Sequence, residues 1–263
     1  MNGLTYVLLG NGFIFTMTCL GAAMVFFFRK NTNPIFQTIF LGFAAGIMIA
    51  VAVFGLLIPS IESAEKSGTL SWLPATIGFV GGALFLFFMD KLIPHIHPLM
   101  NVEEGVSTKM KRSTLLVFAI TLHGIPEGIA VGLSFALAVQ NPADTAFLYS
   151  AIALAIGIGI QSFPEGIAVS LPLRHEGISA KKSFTIGVLS GLVKPIFGIL
   201  IVVIGSFFES IMPYGLSFAA GAMMYVVVEE LIPEVHFSKH SNIGTIAVLF
   251  GFVIMMILDV ALG

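Results

Sequence analysis

The chain contains little charge and a single cysteine. Charged residues make up 10% of its 263 residues, whereas soluble domains carry about 25%. Hydrophobic residues make up 57%, and the mean hydropathy is +1.03. The single Cys19 excludes a disulfide framework and a thiolate metal cluster, and no basic patch indicates nucleic-acid binding. These features predict an all-α polytopic membrane protein embedded in a lipid bilayer.

Long apolar segments account for most of the chain. Each is long enough to cross about 30 Å of hydrocarbon as a helix. The first lacks a preceding basic region and is therefore expected to be a retained span rather than a cleaved signal. Polar or helix-breaking residues such as Asn141-Pro142 separate the segments. We predict one transmembrane domain, 1–263, with a loop at about 94–112 and eight spans at about 4–28, 35–59, 71–93, 114–139, 145–171, 183–207, 213–236 and 242–262.

Lysine and arginine are distributed unevenly between the two sides of the predicted membrane domain. Lys66 lies alone on one side, and Lys194 lies inside span 6. The other ten all fall on the opposite side, at Arg29, Lys30, Lys91, Lys109, Lys111, Arg112, Arg174, Lys181, Lys182 and Lys239. Because cytoplasmic loops carry an excess of Lys and Arg, this pattern predicts a cytoplasmic 94–112 loop. It also predicts that both termini lie outside the cytoplasm.

Two mid-span stretches have nearly the same sequence: His123-Gly-Ile-Pro-Glu127-Gly-Ile-Ala-Val in span 4 and Gln161-Ser-Phe-Pro-Glu165-Gly-Ile-Ala-Val in span 5. A carboxylate at the centre of a membrane helix costs about 2.5 kcal/mol or more, so each glutamate is a functional-site candidate. In both stretches a polar residue four positions earlier shares the helix face of the glutamate. Because a short loop joins the spans, they run antiparallel and their polar side chains can converge.

The residue types in these stretches suit a divalent metal ion. Imidazole nitrogen and carboxylate oxygen bind zinc and other first-row divalent ions, with an amide oxygen as a weaker ligand. Pro126 and Pro164 each leave one backbone carbonyl without its helical partner. Such backbone is tolerated where it lines a polar cavity. The alternative is a buried His–Glu pair that only stabilises the helices, but two matched motifs favour a metal site.

Other polar residues in or near the spans are candidates for supporting roles. Lys194 can neutralise the glutamates when no metal is bound, or pair permanently with one of them. Met48 in span 2 is a candidate ligand, although a lone methionine more often packs in a core. His95 and His97 fit either transient metal binding or an ordinary solvated loop. Glu62 and Asp259 on the outer side fit an entrance for cations, and Glu229 and Glu230 on the inner side fit an exit. Each of these acids also fits an ordinary helix end.

With these residues the chain resembles the ZIP (Zrt-, Irt-like) metal transporters, most closely their bacterial GufA-like branch. The resemblance covers essentially the whole chain: eight spans, a variable loop between spans 3 and 4, and Pro-Glu-Gly motifs on spans 4 and 5. It implies a homodimer in the cell membrane that moves divalent metals, mainly Zn²⁺, into the cytoplasm. It further implies alternating access by an elevator-like motion and a metal site between spans 4 and 5.

The resemblance also assigns ligands and routes. The first of the family's two adjacent metal sites corresponds here to Met48, His123, Glu127, Gln161 and Glu165. The second site normally adds an asparagine, an aspartate and a glutamate, and this chain has in their places Gly124, Ser162 and Lys194. The outer and inner acids named above look similar to the family's entrance and exit residues. Because the extra ligands are missing and an ammonium can take the electrostatic role of the second ion, we predict a single transport-site metal.

We therefore predict a secondary transporter or facilitator whose substrate is Zn²⁺, with Cd²⁺, Fe²⁺ and Mn²⁺ as further candidates. The sequence contains no P-loop that would indicate a nucleotide-driven pump. The alternative from another class is an intramembrane zinc-dependent hydrolase. However, the chain has no H-E-x-x-H motif, and the predicted ligands leave no open position for a catalytic water. A purely structural or sensory membrane protein is a third interpretation.

Overall fold

The computed structural model of the protein is almost entirely helical, and it describes residues 3–28, 34–68, 70–92, 95–97, 102–104, 112–205, 211–236 and 241–262. The helices are α1 (Gly3–Ala23), α2 (Pro34–Ala50), α3 (Ile58–Lys66), α4 (Trp72–Leu92), α5 (Arg112–Gln140), α6 (Thr145–His175), α7 (Ala180–Gly191), α8 (Val193–Gly205), α9 (Met212–Val226), α10 (Ile232–His236) and α11 (Ser241–Leu262). Five of the residues that predicted the orientation lie outside the described part of the chain, namely Arg29, Lys30, Lys109, Lys111 and Lys239.

The helices confirm the predicted all-α fold class, and a short hairpin accompanies them. Strands β1 (His95–His97) and β2 (Val102–Glu104) pair antiparallel, with His95 opposite Glu104. The β-branched residues Ile96 and Val102 favour extended backbone. In the described residues this hairpin is the one departure from helical architecture, and it lies inside the segment predicted to be the cytoplasmic loop.

Seven helical stretches in the described part of the chain are long and apolar enough to cross a membrane. The predicted seventh span, 213–236, is helical from α9 through α10 but is not among them. Glu229 and Glu230 near its end lower its hydropathy, which explains why this segment is less apolar than the others. The count of eight spans therefore stays a prediction.

Two π-helical segments precede prolines inside long helices. Val51–Leu57 joins α2 to α3 two residues before Pro59, and Val227–Leu231 joins α9 to α10 two residues before Pro233. A proline removes one helical hydrogen bond and crowds the preceding turn, so a locally wider turn accommodates it. Such π segments often mark functional positions, and the second one carries both predicted exit glutamates.

The helices pack as two bundles. The first bundle consists of α1, α5, α6, α7 and α8, and the second consists of α2, α3, α4, α9, α10 and α11. Within the first, Gly166 of α6 lies against the backbone carbonyl of Thr18 in α1. Within the second, Gly82 of α4 lies against the backbone carbonyl of Phe218 in α9. A side chain would not fit at either glycine, and such close approach stabilises helix pairs in lipid.

The two bundles meet mainly through side chains. The helices in contact are α5 and α6 on one side and α2, α9 and α11 on the other. Leu154 packs against Gly55 across this boundary, and Leu133 packs against Gly215. At these two glycines the neighbour across the boundary is a side chain, unlike the backbone carbonyls that meet Gly166 and Gly82 within the bundles.

An exposed ion pair also joins the bundles at the end predicted to lie outside the cell. Lys66 Nζ lies 2.8 Å from Asp144 Oδ2 and 4.1 Å from the centroid of the Phe147 ring. The hydrogen bond from Lys66, together with one from the backbone N–H of Ala146, lowers the pKa of the Asp144 carboxyl. Because both charged side chains are in solvent, the pair contributes little to stability, and its main effect is to orient the α5–α6 connection.

Candidate metal site between α5, α6 and α8

The matched motifs of α5 and α6 meet in the interior of the first bundle. The amide of Gln161 donates a hydrogen bond from Nε2 to Glu127 Oε1 over 3.1 Å. Both residues have no solvent exposure. A carboxylate in such surroundings needs a compensating partner because its desolvation is costly. The amide supplies part of that compensation, and a lysine supplies the rest.

Lys194 lies at the centre of the site. Its Nζ atom is 2.6 Å from Glu127 Oε2 and 2.6 Å from Glu165 Oε2, and it donates a hydrogen bond to Ser162 Oγ over 2.7 Å. Its contacts with Glu165 and Ser162 are hydrogen bonds, whereas its contact with Glu127 is an ion pair without hydrogen-bond geometry. The lysine is 2% exposed, so it does not extend toward the membrane surface. It bridges the two motif glutamates directly.

Glycines on α5 make the room that this lysine needs. A Cβ atom at Gly124 would lie 3.2 Å from Cγ and 3.5 Å from Cε of Lys194, and Gly128 lies against the lysine's backbone carbonyl. An asparagine at position 124, which the family's second site uses, would crowd the Lys194 side chain. The Lys194 side chain fits only because position 124 is a glycine, so the residues at positions 124 and 194 constrain each other.

His123 is turned toward the second bundle. Its Nε2 atom lies 2.7 Å from Oε1 of Glu230, which belongs to the π segment between α9 and α10. Glu229 of the same segment is half-buried. Asp90, buried in α4, lies near enough to His123 to act on it electrostatically. Asp90 is not among the site residues predicted from the sequence, although an acid near the end of an apolar span is a signal that could reveal it.

The remaining predicted residues lie apart from this cluster. Met48 is buried in α2, which packs against α6. Glu62 is exposed on α3, and Asp259 in α11 is partly buried near Ser150 of α6. Only the backbone of His95 and His97 is described. The role of Met48 as a ligand, the entrance role of Glu62 and Asp259, and the metal site of the loop histidines stay predictions.

The described residues contain no group of three or more His, Cys, Asp or Glu side chains placed to hold a metal ion. Two features account for this. Lys194 lies between Glu127 and Glu165, and His123 is paired with Glu230. Binding of a metal by the predicted ligands would require the imidazole to rotate and the ammonium to loosen at least one of its carboxylate contacts.

Comparison with known proteins gives consistent matches. The model of the family described as "ZIP Zinc transporter" matches residues 100–259, which is more than half of the chain. Zinc transporter ZIP11 of Xenopus tropicalis is 36% identical over 97% of both chains. Zinc transporter ZIPB of Bordetella bronchiseptica is 36% identical over 98% of this chain and 82% of that protein. Zinc transporter GufA of Myxococcus xanthus is 37% identical over 80% of this chain and 81% of its own.

These matches extend over both bundles and include the segment that carries Glu127, Gln161 and Lys194. They offer no support for the alternative of an intramembrane zinc hydrolase. The chain therefore belongs to the ZIP family of zinc transporters, with relatives that include the GufA-like branch, and it is a metal transporter rather than an enzyme.

Proposed function

We propose that this protein carries Zn²⁺ into the cytoplasm through one intramembrane site, with Met48, His123, Glu127, Gln161 and Glu165 as ligands. The nitrogen, oxygen and thioether donors suit zinc and neighbouring divalent ions, so Cd²⁺, Fe²⁺ and Mn²⁺ are further candidate substrates. The observation that carries the single-site proposal is the ammonium of Lys194, which lies 2.6 Å from an oxygen of each motif glutamate.

Charge supports binding of one ion and opposes a second. Two ionised glutamates and one ammonium leave a formal charge of −1, which attracts a divalent cation. After one Zn²⁺ binds, the same cluster carries +1. At about 4 Å and an effective dielectric constant near 20, each pair of unit charges interacts by about 4 kcal/mol. A second divalent ion would therefore be repelled by the cluster that attracted the first.

The bundle arrangement supports alternating access by an elevator-like motion. Glu127, Gln161, Glu165 and Lys194 all belong to the first bundle, whereas Met48 belongs to the second. Because the bundles meet mainly through side chains, one can slide against the other at low cost, while glycine contacts keep each bundle intact. In this proposal the first bundle carries the ion, and Met48 is a ligand in only part of the cycle.

Acids near the two ends of the site define the proposed route. Glu62 and Asp259 gather cations at the entrance, and Glu229 and Glu230 receive them at the exit. The contact of His123 with Glu230 supports the inner half of this route, because the imidazole is already within 2.7 Å of an exit acid. His95 and His97, near the cytoplasmic exit, would bind the released metal only transiently.

The proposal includes how the protein is placed in the membrane. We infer a homodimer in the cell membrane, with both termini outside and eight spans of which 213–236 is the seventh. The distribution of lysine and arginine supports the orientation. The bacterial relatives support the cell membrane, and dimerisation rests on the resemblance to the family.

Zinc uptake into proteoliposomes tests the proposed function. We expect purified wild-type protein to transport Zn²⁺, and His123→Ala to lower the initial rate by at least about tenfold, because one nitrogen ligand of the ion is lost. His175→Ala is the matched control, since His175 is exposed at the end of α6 and should transport at the wild-type rate. Wild-type protein without uptake would refute the function, and an active His123→Ala would refute the ligand assignment.

A further inference from the structure

An asparagine on α1 is buried inside the bundle that carries the candidate metal site. Asn11 has no solvent exposure. Neither Nδ2 nor Oδ1 of its amide has a hydrogen-bond partner among the residues that the structure describes. Buried amides are normally paired, because an unpaired donor or acceptor keeps the full cost of its desolvation. The amide therefore indicates that Asn11 has a partner in another state of the transport cycle.

The amide of Asn11 faces α8 one helical turn beyond Lys194. A Cβ atom at Gly198 would clash with Nδ2 of Asn11 and would lie 2.9 Å from its Oδ1. The amide thus occupies the space that a side chain at position 198 would fill. Positions 194 and 198 are four residues apart, so they share a face of α8 and lie about 6 Å apart along its axis. Asn11 is therefore placed relative to Lys194 as a neighbour four residues along the same helix would be.

The side chain of Lys194 is able to reach a polar group in that position. Lysine pairs with side chains four positions away on a helix, and its four-carbon stem is flexible. In the structure its ammonium lies instead beside Glu127 and Glu165, at 2.6 Å from an oxygen of each. Gln161 Oε1 is a second buried acceptor without a hydrogen bond in the described residues, but it is one of the proposed metal ligands. Asn11 Oδ1 stays available when an ion is bound.

Binding of a metal ion creates the need for this acceptor. An ion held by Glu127 and Glu165 takes carboxylate oxygens that the ammonium contacts, and it repels the ammonium because both are positive. The displaced ammonium remains inside the bundle, where a charge without hydrogen-bond partners is costly. An amide oxygen accepts a hydrogen bond from the ammonium, and because the amide is neutral it does not attract the metal ion away from the glutamates.

We propose that Asn11 receives the ammonium of Lys194 when a metal ion displaces it from a motif glutamate. The inference rests on the proposed function and deepens it. Asn11 is a positioning residue: it does not contact the ion, but it stabilises the ion-bound site by giving the lysine a partner. The lysine then alternates between the two glutamates in the empty site and Asn11 in the loaded one.

Zinc binding by the purified full-length protein, measured by isothermal titration calorimetry with Zn²⁺ alone, tests this role. We expect Asn11→Leu to raise Kd for Zn²⁺ about tenfold, because the displaced ammonium loses its acceptor. Its Tm in chelator should not fall, since the amide has no hydrogen bond to lose within the described residues. Ser183→Ala is the matched control and should keep the wild-type Kd. Ser183 is likewise buried and unpaired in that set of residues, but it lies in the first turn of α7.

A second background shows whether Asn11 acts through the lysine. In Lys194→Met no ammonium needs an acceptor, so Asn11→Leu should change Kd by less than about twofold. Asn11→Asp retains an acceptor oxygen, and its Kd in the wild-type background should be no higher than that of the wild type.

Three results would each overturn the role of Asn11. These are an unchanged Kd for Asn11→Leu in the wild-type background, an equal rise of Kd in both backgrounds, and a lower Tm of Asn11→Leu in chelator, as a merely structural role would produce. Wild-type protein that binds no zinc would instead refute the proposed function itself, and this inference with it.

Discussion

Glu127→Gln is expected to lower zinc uptake on the order of 100-fold, even though the two side chains have nearly the same shape. Glu127 is fully buried and contacts both Gln161 and Lys194. Its neutralisation leaves the ammonium facing only Glu165, so the formal charge of the cluster changes from −1 to zero. The site then loses both a ligand and its attraction for a cation. Initial rates of Zn²⁺ uptake into proteoliposomes measure the effect.

Glu65→Gln is the matched control for this change. Glu65 is exposed on α3 and has the same side-chain chemistry, so its replacement should leave the rate unchanged. If Glu127→Gln transports zinc as fast as the control, the ion does not pass through the site between α5, α6 and α8.

Lys194→Met is expected to make the folded protein depend on zinc. The ammonium is 2% exposed and bridges two carboxylates. Removing one partner of a buried ion pair costs about 3 to 5 kcal/mol, because the remaining charge is left without compensation. In chelator we therefore expect Tm to fall by roughly 10 °C. Added Zn²⁺ should restore most of the loss, since the ion now supplies the positive charge that both glutamates require.

Lys66→Met provides the comparison, because Lys66 is an exposed lysine with one carboxylate partner. Its Tm should change little in chelator, and zinc should stabilise it as much as the wild type. An equal zinc-induced shift of Tm in Lys194→Met and in wild type would show that Lys194 does not substitute for a metal ion.

The sequence predicts the parts of the site that follow from local geometry. Glu127 and Gln161 meet because they lie at matching depths of adjacent antiparallel helices, and the spacing of the motifs is enough to predict this. The sequence leaves open whether Lys194 neutralises the glutamates only when no metal is bound or pairs permanently with one of them. The structure shows contacts with both glutamates, and the choice between the two roles stays a prediction.

Other features depend on packing that the sequence does not reveal. The imidazole of His123 faces Glu230 because a π segment before Pro233 brings that acid to the bundle boundary, and span periodicity cannot predict a π segment. The coupling of Gly124 to Lys194 is likewise a matter of van der Waals contact across α5 and α8. In sequence, the two positions are separate departures from the family pattern.

Anomalous diffraction at the zinc edge, from crystals of the wild-type protein grown with Zn²⁺, tests the central claim most directly. A variant that combines Gly124→Asn, Ser162→Asp and Lys194→Glu restores the donors of the family's second site, and it controls for the ability to detect two neighbouring ions. For the wild type we expect one zinc peak per chain between α5, α6 and α8. Two adjacent peaks at that position in the wild type would contradict the assignment of Lys194 as the replacement for a second metal ion.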